Sequence, residues 1–93
     1  MDFSFQIKAK DKKTRARLGI IKTPHGEIQT PAYTPVATTA TVKALDTQDI
    51  VNCNSQVVLA NTYHLLLRPG LEVLEQFGGF APFMCWRGPT ITD

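Results

Sequence analysis

Apolar and polar residues alternate from the start of the chain. Phe3, Phe5 and Ile7 are interleaved with Ser4, Gln6 and Lys8, the period of two expected of a half-buried strand. A second alternating run sets Ala16, Leu18 and Ile20 against Arg15, Arg17 and Gly19, and it leads into Thr23-Pro24-His25-Gly26. Proline fixes φ and glycine accepts positive φ, so this tetrapeptide reads as a turn, with Ile28 on the returning strand. Residues 15–30 are therefore expected to form an antiparallel hairpin with His25 exposed at its tip and without a role.

From Pro31 onward, short apolar segments alternate with helical ones. Tyr33–Thr38 reads as a short strand, and Pro35 places it at a strand end or bulge because proline donates no ladder hydrogen bond. Asp46 can cap a helix that starts at Thr47-Gln48-Asp49 and presents Ile50 and Val51. Gln56–Leu59 is the next expected strand and Leu71–Phe77 the next helix, with Leu71, Leu74 and Phe77 on one side and Gly78-Gly79 closing it. Pro89–Thr92 then reads as a β-branched strand. Such alternation implies an α/β fold with a parallel sheet and right-handed crossovers. The expected organisation is an N-terminal antiparallel β region over 1–30 and the first βα units over 31–93. Three strands under two helices leave sheet edges unpaired, and Phe80, Phe83, Met84 and Trp86 without a facing surface. The chain is thus expected to be the open portion of a larger α/β structure.

Length agrees with that expectation, because 93 residues fall well short of the about 250 that a closed eight-stranded α/β barrel needs. Ten Lys and Arg against eight Asp and Glu give a formal charge of +2, and Lys8, Lys10, Lys12, Lys13, Arg15 and Arg17 gather near the start. So weak a basic balance argues little for nucleic acid, and a solvated hairpin accounts for it. No apolar run approaches the about 18 residues of a membrane helix, and no export leader is evident, so a soluble cytoplasmic protein is expected. Cys53 and Cys85 lack any zinc or redox spacing and are expected to be small core residues.

Candidate chemistry concentrates at two places. Asn61-Thr62-Tyr63-His64 follows the strand at Gln56–Leu59 and supplies four polar handles where a strand should end, as the edge of a binding site does. Asp93 follows the β-branched strand, where a turn former or helix cap is the simplest reading.

Thr30-Pro31-Ala32-Tyr33, Pro35-Val36-Ala37-Thr38, Thr41-Val42-Lys43-Ala44-Leu45, Asn61-Thr62-Tyr63-His64-Leu65, Leu67-Arg68-Pro69-Gly70, Gly78-Gly79, Phe83-Met84-Cys85-Trp86 and Thr92-Asp93 occur in sequence. Their order and spacing are similar to those of the N-terminal part of bacterial tRNA-guanine transglycosylases, from about Arg15 onward. The resemblance implies the N-terminal part of a (β/α)8 TIM-type barrel preceded by a small antiparallel sheet. It implies exchange of guanine at the anticodon wobble position of tRNA for a 7-deazaguanine base, preQ1 in bacterial members, through a covalent enzyme–RNA intermediate in queuosine biosynthesis.

Under the resemblance, Asp93 matches an aspartate that handles protons as general acid and base, while the nucleophilic aspartate lies beyond this chain. Departing guanine needs a proton and the incoming base must lose one, so a single positioned carboxylate can serve both half-reactions. The resemblance further points to Val36 and Leu59 as lining the pocket around the target nucleotide and to Asn61 as a contact near the reacting ribose; Asp93 itself also touches substrate. Tyr63 and His64 are read as structural, and Ala37 stands where the family usually has glycine. A structural zinc with ligands outside this chain, a homodimer, and tRNA, guanine and preQ1 as partners complete what the family implies. On that basis the isolated 93-residue chain is expected to be inactive. Two rival readings are a non-catalytic barrel paralogue acting as an accessory subunit and a small RNA-binding module built on the basic hairpin.

Overall fold

A computed structural model describes residues 2–93. Strands β1 (Ser4–Lys10), β2 (Arg17–Thr23) and β3 (Gly26–Thr30) form an antiparallel sheet in the order β1-β2-β3. Pro24 and His25 make the tight turn between β2 and β3. The Thr23 hydroxyl accepts the His25 amide at 3.1 Å and donates to the Gly26 carbonyl at 2.8 Å. Opposite β1, Ile7 pairs with Gly19 and Ala9 with Leu18, so Lys8 is the extra residue of a bulge. Gly19 leaves room there, because a Cβ at that position would stand 2.7 Å from Cε1 of Phe5 and 3.0 Å from the Gln6 carbonyl oxygen, so one of them would have to shift.

The second half is α/β. Helices α1 (Thr47–Asn52), α2 (Thr62–Leu67), α3 (Leu71–Phe77) and α4 (Phe80–Phe83) accompany the parallel pair β4 (Val58–Ala60) and β5 (Thr90–Thr92). On the other side of β4, Val36 forms one parallel bridge to Leu59. The expected strand over Tyr33–Thr38 is thus reduced to a single contact. Ala37 N–H donates to the Leu59 carbonyl at 2.6 Å and Leu59 N–H to that of Pro35 at 3.0 Å. Pro31 and Pro35 offer no further donors, and the chain turns at Ala40, where φ is 59°. The three stretches still lie side by side in chain order, as successive parallel strands do.

The second expected strand starts at Val58 rather than Gln56, because Gln56 is engaged elsewhere. Its side chain accepts the Gln29 amide at 2.7 Å and donates to the Gln29 carbonyl at 3.1 Å, so it imitates a strand residue beside β3. Gly26 in turn lies close to Pro89, the residue before β5. The antiparallel sheet therefore meets the parallel strands at their N-terminal ends.

Alternation along β4 sorts the two faces. Val58 and Ala60 are fully buried, Val58 packing with Ile50 and Trp86, and Ala60 with Ala40, Leu65 and Leu74. Each large apolar side chain so buried contributes roughly 1.5–3 kcal/mol. Leu59 faces the other way, together with Val36 and Ile91, which are 51% and 42% exposed. Helices thus cover one face and leave the other open. The radius of gyration, 15.0 Å, exceeds the about 13 Å of a compact domain of this size.

Two helices come in addition to those expected: Asn61 caps α2, which begins at Thr62, and Phe80–Phe83 forms a single-turn helix. Cys53 and Cys85 are exposed rather than in the core, because each sits just past the last residues of a helix, at the ends of α1 and α4. Among the described residues, no helix is long and apolar enough to cross a membrane.

Candidate functional site

Register and pleat together build the site. Val36, Leu59 and Ile91 are aligned across three adjacent stretches, so their side chains share the open face. Two residues further on, one pleat nearer the C-terminal strand ends, come Asn61 and Asp93. All four positions singled out from the sequence, Val36, Leu59, Asn61 and Asp93, therefore lie on one face of one sheet end. Ala37 is fully buried on the opposite face, so its methyl group is directed away from the site.

Asn61 remains extended (φ −89°, ψ 121°) and caps α2 by accepting the His64 amide on Oδ1 at 3.1 Å. Its Nδ2 donates to Oδ2 of Asp93. An amide can serve both partners only in this orientation, with oxygen toward the helix and nitrogen toward the carboxylate. Thr62 completes the seat: its backbone N–H donates to Oδ1 of Asp93 at 2.8 Å and its hydroxyl to the Asp93 carbonyl at 2.9 Å.

Each carboxylate oxygen of Asp93 thus accepts one hydrogen bond, which fixes the plane of the group. An ionised carboxylate has about four acceptor directions, so roughly two stay open toward the exposed face. A carboxylate so held can exchange a proton with a group placed beside it on the open face. Asn61 and Asp93 also provide donor and acceptor groups suited to sugar hydroxyls. Tyr63 and His64 pack edge to face, with ring centroids 5.8 Å apart, and both are exposed.

Thr62 and Ile91 belong to this site and were not expected from the sequence. Asparagine followed by a short apolar run and a Pro-Gly stop is a helix signature, and reading α2 from it would have placed the Thr62 amide at a helix start. Among the described residues no group of three His, Cys, Asp or Glu could hold an ion; the zinc implied by the resemblance has its ligands outside this chain.

Comparison with known proteins agrees with the motifs. The family model described as queuine tRNA-ribosyltransferase matches residues 11–93. Curated proteins named queuine tRNA-ribosyltransferase are similar along the whole chain. That of Halothermothrix orenii is 47% identical over 93 residues, covering 100% of this chain and 25% of the relative. That of Dictyoglomus turgidum is 49% identical over 89 residues (96% of this chain, 23% of the relative), and that of Prochlorococcus marinus 46% over 91 residues (98% and 24%). The chain therefore spans about a quarter of the length of these relatives. Motif order, strand register and a match over residues 11–93 lead to one conclusion: the chain belongs to the queuine tRNA-ribosyltransferase family.

Proposed function

We propose that this chain forms one wall of the active site of a tRNA-guanine transglycosylase. The full-length protein exchanges guanine at the wobble position of tRNA for a 7-deazaguanine, preQ1, through a covalent enzyme–RNA intermediate. The observation that carries the reading is the seat of Asp93: a carboxylate oriented by Asn61 and Thr62 at the C-terminal end of parallel strands. In a (β/α)8 barrel that end is where catalytic groups collect, and the N-terminal sheet closing the opposite end agrees with such a layout.

Asp93 donates a proton to departing guanine and recovers one from the incoming base. Breaking the glycosidic bond leaves negative charge on the purine, which protonation by Asp93 quenches; in the second half-reaction the same carboxylate removes the proton lost by the incoming base. Asn61 holds the carboxylate and reaches the ribose, while Val36 and Leu59 form the apolar floor beneath the nucleotide. The nucleophile, a structural zinc site and the main RNA surface are assigned to residues outside this chain. A cytoplasmic homodimer acting on tRNA completes the proposal.

The test is incorporation of labelled guanine or preQ1 into unmodified tRNA. Full-length protein is expected to incorporate label, and the 93-residue chain alone to incorporate none. Incorporation by the isolated chain at the full-length rate would relocate the chemistry, and none by the full-length protein would remove the assignment.

A further inference from the structure

We infer that Trp86 is a positioning residue for Asp93, acting through the register of β5; the inference rests on the reading of Asp93 as the proton-handling group. The ladder that delivers Asp93 is only three residue pairs long, Val58–Thr90, Leu59–Ile91 and Ala60–Thr92. A slip of one residue would send the Asp93 side chain to the opposite face. Thr90, Ile91 and Thr92 are all exposed, so β5 buries too little of its own side chains to fix its register. Something outside the strand must fix it.

The indole does so. Trp86 Nε1 donates to the Pro89 carbonyl at 2.9 Å in buried surroundings, and the same oxygen accepts the Val58 amide at 3.3 Å. One carbonyl therefore joins the tryptophan, the residue before β5 and the first residue of β4, using both of its lone pairs. Gly88 lies against the ring: a Cβ there would stand 2.8 Å from Cζ2 and 3.1 Å from Cε2. The 86–89 turn can wrap the indole this closely only because residue 88 has no side chain.

The ring is itself held by the helix layer. Trp86 is 6% exposed and packs with Ile50 and Val58, with Val42, Phe80 and Met84 against the cluster. Its own amide donates to the Ala81 carbonyl at 2.8 Å, ending α4, and the Thr47 hydroxyl donates to the Met84 carbonyl, tying α4 to the first residue of α1. The helices fix the indole, the indole fixes Pro89, and four residues later Asp93 meets Asn61 and Thr62.

The test uses the full-length protein with two variants. Trp86→Phe keeps an aromatic side chain, though a smaller one, and removes the donor; Gly88→Ala keeps the indole and displaces it, so a folded variant remains if one of them fails. Each is expected to lower kcat for guanine exchange about ten- to hundredfold, the cost of small misplacement of a reacting group, with KM for tRNA unchanged. Each should also move the limb of the pH–rate profile that Asp93→Asn removes. Leu18→Ala, a truncation on β2 outside the cluster that holds the indole, should leave kcat and that limb of the folded enzyme in place. If Trp86→Phe and Gly88→Ala both keep kcat and the pH profile within twofold of the parent, or raise KM alone, the positioning role is overturned. If Asp93→Asn itself keeps full kcat, it is the proton-transfer reading that fails.

Discussion

At the scale of single residues, Asn61 divides its amide between two tasks that mutation can separate. Its oxygen caps α2 and its nitrogen holds Asp93. Asn61→Ser retains a capping oxygen but has no amide nitrogen to reach the carboxylate. It is expected to keep most of the stability while slowing exchange, whereas Asn61→Ala should lose about 1 kcal/mol in addition. Denaturant unfolding and turnover measured on the same samples separate the two effects; equal stability in Ser and Ala variants would contradict the cap. Asp11 carries a different signature. The Thr14 hydroxyl, with the amides of Lys13 and Thr14, lowers its carboxyl pKa below the usual range. A depressed folded pKa means that this turn contributes stability above the unfolded value, about 3.9, and loses it as pH falls through the folded one. Carbon-detected NMR titration should place Asp11 below that value, and a midpoint at or above it would contradict the turn.

At the scale of elements, the sequence disclosed those whose signals are local. Asp46 was legible as a cap, and it closes a full box: its carboxylate accepts the Asp49 amide at 2.8 Å while that of Asp49 accepts the Asp46 amide at 3.0 Å. The turn at Pro24-His25 and the end of α3 at Gly78 were legible for the same reason. What escaped notice was short or mixed in signal. The polar run at Asn61–His64 masked the start of a six-residue helix, and Pro82 masked α4, although proline is tolerated in a first turn where no N–H is needed. The strand at Tyr33–Thr38 was overread, since its pattern carries no information on how few partners two prolines leave. Helix ends also carry a testable strain. Gly78 ends α3 at φ 85°, as glycine can, but Cys85 follows α4 at φ 60°. Cys85→Gly is expected to stabilise the protein by up to about 1 kcal/mol, and Gly78→Ala to destabilise it by a similar amount. Unfolding midpoints that move the other way in both variants would contradict these conformations.

At the scale of the whole molecule, the parts divide labour along the strand axis. The antiparallel sheet meets the strands at their N-terminal ends through Gln29, Gln56, Gly26 and Pro89, helices cover one face, and the open face carries Val36, Leu59, Ile91, Asn61 and Asp93. The candidate residues were legible in the sequence through family motifs, but their convergence was not. Val36 and Asp93 are brought to one sheet end only by register, which depends on contacts such as Trp86 to Pro89 that no local pattern reveals. The central claim is that Asp93, held in this seat, moves the protons of base exchange. Its most direct test is single-turnover guanine exchange by the full-length protein carrying Asp93→Asn, which preserves size but cannot act as the acid or base and accepts only one of the two bonds that seat the carboxylate. A rate lower by about 10²–10⁴-fold with tRNA affinity retained is expected; a rate within a few fold of the parent would rule out proton transfer by Asp93.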